Sequence, residues 1–363
     1  MQYDVLIVGA GITGLTVARQ LAEAGKKTLV LDRRAHIGGN CHDEYDEHGI
    51  LIHRYGPHIF HTNHQAVWEF LSRFTDWRHY QHRVKAYVDS MLVPMPVNVD
   101  TLNCLYNLSL TAETMAAYLE SVREKLEVVR DSRDAVLARF GADIYEKFFK
   151  NYTLKQWGIA AEDLHPSVCE RIPIRLNRDD RYFTDRFQGM PLHGYHRLFE
   201  RLAAHPGIHL LLQADYREVA RQVKHKALVY TGPIDEYFDY CHGRLGYRSL
   251  RFDFRNHRQD SFQEEAVVNF PNDYAFTRIT EYKKMTGQQA DSTTVSYEYP
   301  CNEGDPYYPI PTADNQQLHA RYAGEAKKEK KVAFAGRLGA YRYMNMDVAC
   351  LDAMQLAMNL LKA

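Results

Sequence analysis

None of the six cysteines (Cys41, Cys104, Cys169, Cys241, Cys301, Cys350) forms a C-x-x-C pair, so the spacing supports neither a zinc site nor a redox disulfide and suits a reducing compartment. Charge of one sign is also lacking. The 45 Lys and Arg meet 46 Asp and Glu, which removes the bulk field that would draw nucleic acid or an acidic membrane and leaves any anion site to be built locally. No apolar run approaches the length of a membrane span, and the first strand starts at Tyr3, which leaves no room for a signal peptide; a cytoplasmic protein is expected. Repeats and low-complexity tracts are absent too. What is plentiful is tyrosine, 25 residues, and histidine, 18, with many tyrosines close to arginines. At 363 residues the chain is long enough for two or three compact units.

The chain is organised around its first 32 residues. Tyr3 to Val8 is a short apolar run suited to a buried parallel strand, and it opens into Gly9-Ala10-Gly11-Ile12-Thr13-Gly14. In G-x-G-x-x-G the first glycine permits the turn, the second lets backbone approach a pyrophosphate, and the third lets the following helix pack on the strand. Phosphates then rest on free N–H groups at the helix start, where Thr13 also lies. Leu15, Ala18 and Leu21 continue at helical spacing to Gly25, and Lys27 to Leu31 is a second strand ending in Asp32, an acid placed to grip a ribose diol. In this strand–turn–helix–strand context the dinucleotide reading outweighs that of a plain glycine-rich turn. Arg33-Arg34 followed by Gly38-Gly39-Asn40 resembles flavoproteins of the glutathione-reductase-like family, which makes FAD the expected cofactor.

Further along, His53, His58 and His61 bracket the rigid Gly56-Pro57 turn. His58 and His61 lack a third ligand or nearby carboxylate, so no metal is expected. Val84 to Met95 reads as a hairpin about Asp89-Ser90, ended by Pro94 and Pro96. Thr101 to Val129 is helical in pattern, with Met115, Leu119, Val122, Leu126 and Val129 on one face, and a further helix covers Ala135 to Thr153. There Ile144, Phe148 and Tyr152 stack with Tyr145 and Phe149 alongside, and Lys155-Gln156-Trp157-Gly158 follows. On pattern alone such a stripe is core, with a base-stacking platform as the alternative. Strands are expected at Ile208–Leu212, Ala227–Tyr230, Leu250–Phe254, Ala266–Phe270, Ala275–Ile279, Thr293–Tyr299 and Val332–Ala335, and a helix at Asp347–Leu361; Glu325–Lys331 is a solvated charge run. The predicted fold is α/β: a discontinuous Rossmann-like FAD-binding domain (1–65, 194–235, 330–363), a helical insert domain (98–165, with a mobile loop at about 157–175) and an antiparallel β-sheet domain (66–97, 176–193, 236–329).

Several separated blocks resemble one family, the bacterial UDP-galactopyranose mutases: His53-Arg-Tyr-Gly-Pro-His-Ile-Phe-His-Thr62, Phe148-Phe-Lys-Asn-Tyr-Thr-Leu-Lys-Gln-Trp-Gly158, Phe187-Gln-Gly-Met-Pro191, Gly243-Arg-Leu-Gly-Tyr-Arg248, Tyr307-Tyr-Pro-Ile310 and Gly336-Arg-Leu-Gly-Ala-Tyr-Arg-Tyr343. The match runs essentially end to end. The resemblance implies a flavoenzyme, active with reduced FAD, that interconverts UDP-galactopyranose and UDP-galactofuranose without net redox change, supplies galactofuranose to cell-surface glycans and forms a homodimer. It implies that N5 of the reduced flavin attacks the anomeric carbon and displaces UDP, which later recaptures the sugar.

By the same resemblance Phe148, Phe149 and Tyr152 form a uracil platform with Trp157 beside it. Arg171 is a loop arginine that swings to the diphosphate, Arg278 is its fixed partner, and Tyr182, Tyr308 and Tyr343 donate hydroxyls to the phosphates, with Arg248 lining the same cavity. Arg337, with His58 and Met346, belongs to the flavin, and His61 packs near its reactive face. Arg171, Arg278 and His61 are the residues nearest the chemistry. Two positions depart from the family pattern, Ala340 in place of Thr and Asn345 in place of Asp; the second removes a titratable acid near the sugar. Without the family, an arginine–tyrosine set still suits a diphosphate, because Arg offers paired charged donors and Tyr a donor on a rigid apolar body. The competing classes are a flavin oxidase or dehydrogenase of the amine-oxidase-like group, and a non-catalytic nucleotide-sugar binder.

Overall fold

The computed structural model describes residues 2–362. Five parallel strands form the first sheet, in the order Ile208–Leu212, Thr28–Asp32, Gln2–Val8, Lys224–Tyr230, Val332–Phe334. Val8 stands between Leu31 and Tyr230, so the strand ends converge where the glycine turn begins. Three separated stretches of chain supply this sheet. Helices Ile12–Glu23, Gly194–Ala203 and Met346–Lys362 pack together beside it, burying Ile7, Leu15, Leu21, Val30, Phe199 and Ala353 in one core. Full burial of each large aliphatic or aromatic side chain contributes about 1.5–3 kcal/mol.

The second sheet has seven strands, ordered Tyr308–Pro309, Tyr247–His257, Thr293–Cys301, Arg278–Glu281, Val267–Asn269, Val84–Val88, Met91–Met95. It is antiparallel, as expected, apart from one parallel pair, Val267–Asn269 beside Val84–Ala86. The hairpin turns at Asp89 (φ 50°) and Ser90 (φ 63°), but Pro94 does not end it. Pro94 lies within Met91–Met95 opposite Lys85, on the sheet's edge strand, where its missing N–H is owed to no neighbour.

The helical insert is more broken than its periodicity predicts. Instead of one helix over 101–129 there are two, Val99–Tyr106 and Ala112–Val122. Asn107 leaves the first in the left-handed conformation, and Thr111 starts the second with a capping box to Thr114. Met115 and Leu119 are buried, whereas Val122 and Val129 are exposed. The next predicted helix is also cut, by Gly141 (φ 80°), into Ser132–Phe140 and a run from Ala142 to Trp157 whose middle, Tyr145–Lys150, is wound as a π-helix.

Core membership crosses the expected domain segments. Val67, Phe70, Leu71 and Phe74 from helix Gln65–Ser72 and the turn after it join the nucleotide-side core, while hairpin residues Val84, Ala86, Val93 and Met95 join the helical core. A three-stranded sheet, Phe60–Thr62, Phe187–Pro191, Trp77–His79, links the units. Among the described residues no helix is long and apolar enough to cross a membrane.

Candidate functional site

The glycine turn is built by close backbone approach. A Cβ on Gly14 would fall 1.9 Å from the Gly9 carbonyl oxygen, and one on Gly39 (φ 56°) would lie 3.1 Å from Gly11 Cα. The helix that follows has no side-chain cap at Gly11, so its first N–H groups are free for a pyrophosphate. A cavity of about 790 Å³ opens there, lined by Gly9, Gly11, Thr13, Asp32, Arg33, Gly39, Asn40, His58, Arg337 and Met346. Gly14 is the one expected cofactor residue outside that lining; its part is the contact between helix and strand. Asp32 is held in place by the N–H groups of Ala10 (2.8 Å) and Arg34 (2.9 Å). Asn40 accepts from Arg34 at 2.9 Å, and Arg33 and Arg34 both pair with Asp305 of the second sheet region. Volume, glycine contacts, free helix start and acid together fit a dinucleotide of FAD size.

Asn345 also lines this cavity, between Met344 and Met346, and thus stands on the cofactor side and not with the substrate residues. His58 is a neutral imidazole: burial, with Arg337 adding to it, pushes its pKa down to about 4 against the pull of its bond to the Gly56 carbonyl. Among the described residues no group of three His, Cys, Asp or Glu is placed to hold a metal ion.

Next to the cavity is a cleft of arginines and tyrosines drawn from five separated stretches. Arg171 lies 4.5 Å over the ring of Tyr343, and Arg337 lies 5.2 Å from that ring and 5.1 Å from Tyr308. Tyr308 and Tyr343 stack at 5.8 Å. Arg278 donates to the Tyr152 hydroxyl at 2.7 Å. The charges of both Arg171 and Arg278 act on Tyr182 and Tyr308, so the four groups share one space. Arg171 and Tyr343 are exposed to solvent, which leaves the cleft open for a ligand. Burial pushes Tyr152 and Tyr308 up to about 12, keeping both as hydroxyl donors, whereas the Arg171 guanidinium draws Tyr343 below the ordinary tyrosine range. Arg337 donates to the carbonyls of Tyr307 and Met344 (3.3 and 2.8 Å) and forms the wall between cavity and cleft.

Glu298 is a member of this site that sequence reasoning missed. It is 3% exposed, sits directly across the strand pair from Arg278, and brings Oε1 within 3.3 Å of the Arg278 Nε. Burial works against the charge on Arg278, and Glu298 together with Tyr152, Tyr308 and Tyr182 outweighs it, so the guanidinium is held above its usual range. No local signal marks it, because its own face of strand Thr293–Cys301 carries Thr294, Ser296 and Pro300.

Other expected residues are placed differently. Phe148 and Phe149 are 3% and 2% exposed and belong to the helical core, as the bare periodicity reading has it; only Tyr152 of the stripe reaches the cleft. Trp157 is buried with its ring 6.3 Å from Tyr308. Arg248 does not present a free fork to the cleft. It is 4% exposed and donates to the carbonyls of Gln156 and Lys155 (both 2.9 Å) and to Asn302, closing the last turn of helix Asn151–Trp157. The segment expected as a mobile loop carries helix Ser167–Glu170 and is tied down by Ser132 to the His165 carbonyl (2.7 Å) and by Arg139 to that of Ile172 (2.8 Å). His61 is on strand Phe60–Thr62, its Nδ1 3.0 Å from Asp185.

Two sequence profiles match the chain: UDP-galactopyranose mutase over residues 147–343 and an NAD(P)-binding Rossmann-like domain over residues 7–74. A Klebsiella pneumoniae protein named "Probable UDP-galactopyranose mutase" is 39% identical over 98% of this chain and 94% of its own. A dTDP-fucopyranose mutase of Escherichia coli is 36% identical over 97% of each chain, and a UDP-galactopyranose mutase of Mycoplasma pneumoniae 34% over 99% and 97%. Among solved structures, a reduced UDP-galactopyranose mutase superposes with a TM-score of 0.82 at 17% identity, covering 100% of this chain and 94% of the other. A putrescine oxidase with putrescine bound gives 0.59 at 13%, with full coverage of both. At those identities the two structures speak for the fold alone.

Proposed function

The chain belongs to the UDP-galactopyranose mutase family, whose members are isomerases, and from that premise we propose that it interconverts UDP-galactopyranose and UDP-galactofuranose with FAD held in the glycine-lined cavity. The observation that carries this reading is the cleft itself: Arg171 and Arg278 flank Tyr182 and Tyr308, and Arg337 joins them to the cavity wall. Such a set matches a diphosphate that must be kept in place while the sugar changes ring form. Held by Gly9, Gly11, Asp32 and Arg337, a reduced flavin would supply the electron-rich nucleophile that exchange at the anomeric carbon requires.

The protein's work is positioning. Arginines fix the leaving diphosphate, the protonated hydroxyls of Tyr152 and Tyr308 donate to it, and holding UDP close turns its return into an effectively intramolecular step. Segment 157–175, held with Arg171 over Tyr343, would keep water from the activated sugar. Of the aromatic stripe Tyr152 is the member at the cleft, and we assign the uracil to its side, with Trp157 beside Tyr308. In the cell we assign the enzyme to the cytoplasm, as a homodimer supplying galactofuranose for surface glycans.

One observation favours a second substrate reading. The dTDP-fucopyranose mutase relative is nearly as similar as the first and equally complete, so a 6-deoxy sugar on a thymidine diphosphate is the alternative. The test is to incubate purified flavoprotein with UDP-galactofuranose or dTDP-fucofuranose, under dithionite and in air, and to separate the nucleotide sugars by chromatography. Conversion of the uridine sugar only under dithionite is expected. Faster turnover of the thymidine sugar would reassign the substrate, and an oxidised product in air would point to the oxidase class instead.

A further inference from the structure

His61 and Asp185 form a pair that lies 124 residues apart in sequence and is locked from both sides. The His61 ring lies face to face on Phe183, with centroids 3.6 Å apart and planes 13° from parallel. Its Nδ1 is 3.0 Å from Asp185 Oδ2. A carboxylate oxygen can only accept, so Nδ1 carries a proton, and in the neutral ring Nε2 keeps its lone pair. The other carboxylate oxygen, Oδ1, accepts from Asn63 Nδ2 at 2.8 Å. Around them, Asn63 Oδ1 accepts from the Arg186 N–H at 2.9 Å, and Gln188 Nε2 donates to the main-chain carbonyls of Asp185 (2.9 Å) and Phe183 (3.3 Å). The strand pairing of His61 with Gln188 completes the frame. His61 Nε2 makes no hydrogen bond to another described residue, and the side chain keeps 11% of its exposure.

A carboxylate that fixes one ring nitrogen of a histidine prepares the other for proton transfer. Resting on the mutase reading above, we propose that Asp185 is a positioning residue that holds His61 as a proton acceptor at Nε2 for the sugar hydroxyls exchanged during ring interconversion. Changing a pyranose into a furanose releases one ring oxygen and closes through another. The closing hydroxyl gives up its proton as the new C–O bond forms, and the freed oxygen must gain one. Opening precedes closure, so the imidazole, charged beforehand by a proton from solvent, gives that proton to the freed oxygen and then takes the closing hydroxyl's proton at Nε2, leaving no net change; the negative carboxylate stabilises the transient imidazolium. The charged and titratable groups facing this ring are Asp185 and His82, which also lies against Phe183 at 6.1 Å; Arg278 stands one group further away, its charge reaching His82.

The test combines ¹⁵N-histidine NMR on the full-length flavoprotein with steady-state kinetics. The His61 resonances are assigned by their loss in His61→Gln. Wild type should show His61 protonated at Nδ1 and bare at Nε2; Asp185→Ala should lose that preference and lower kcat by about tenfold or more with KM within about twofold, while flavin content stays the same. Asn63→Ala, which frees Asp185 Oδ1 and the Arg186 N–H but leaves the Oδ2 contact to His61, should weaken both effects without abolishing them, and it stands in if Asp185→Ala does not fold. A wild-type His61 protonated at Nε2, or an Asp185→Ala enzyme with unchanged tautomer or kcat, overturns the proposal. If wild type interconverts no nucleotide sugar, the mutase reading fails, whereas the tautomer measurement still decides whether Asp185 sets the histidine.

Discussion

The nucleotide cavity and the arginine–tyrosine cleft are neighbours built on opposite principles. The cavity is made by main chain: glycines that bring backbone to within a van der Waals contact, an uncapped helix start, and one acid fastened by two N–H groups. The cleft is made by side chains that reach one another across long stretches of sequence, Tyr152, Arg171, Arg278, Tyr308 and Tyr343. Backbone sites tolerate change nearly everywhere except at their glycines. Side-chain sites are sensitive at each charged member, because a removed partner leaves a buried group uncompensated.

The sharpest way to separate the two is Arg278→Ala. It should lower kcat/KM by about a hundredfold or more, since it strips a charge from the cleft and leaves Glu298 buried without its partner, while bound flavin remains at wild-type levels; loss of flavin would show that cavity and cleft are one unit. Next in size is the effect of acid at the turn that joins them. His53 is 1% exposed, and burial, with the neighbouring His58 adding to it, lowers its pKa to about 3. Its folded value is depressed, so the stability it contributes is present above the unfolded pKa near 6.5 and is lost as pH falls toward 3; denaturant unfolding should show a decline of roughly a few kcal/mol across that window. His53→Asn should flatten the decline.

The reverse experiment to Arg278→Ala is Gly14→Ala, whose Cβ has no room beside the Gly9 carbonyl. It should cost about 1–3 kcal/mol of stability and weaken flavin retention, with any flavin-loaded fraction keeping a normal KM. Smallest is Arg248→Lys, expected to lower stability by about 1 kcal/mol and leave KM for the nucleotide sugar near its original value. A large rise in KM would return Arg248 to the cleft.

The same contrast explains what could be read from the sequence. Strand, glycine turn, helix and acid are contiguous, and each residue's need is local, so Tyr3 to Asp32 announces its structure directly. The cleft has no such local signature, and its members came into view only through resemblance to the mutase blocks. Glu298 escaped even that, because alternation marks a strand's acids as solvent-facing and nothing nearby in sequence discloses Arg278 on the adjoining strand. The helix expected over 101–129 failed for a related reason: periodic apolar residues continue past Asn107, but the left-handed turn there and the Thr111 cap restart the helix on new terms.

The wide turn from Tyr145 to Lys150 holds one amino acid of slack for everything that follows it. A π-turn holds an extra residue relative to the regular helix, and an α-helix advances about 100° per residue. Deleting a single residue within it would let the turn tighten to the regular width and leave Tyr152, Lys155 and Trp157 on their present faces, whereas a second deletion, with no slack left, would turn all three by roughly a quarter of a revolution. Only then would Tyr152 swing off Arg278 and the Lys155 ammonium leave the carbonyls of Phe270, Asp273, Tyr274 and Phe276 that now enclose it, so the helix can lose one amino acid in length and keep its seat on the sheet it faces.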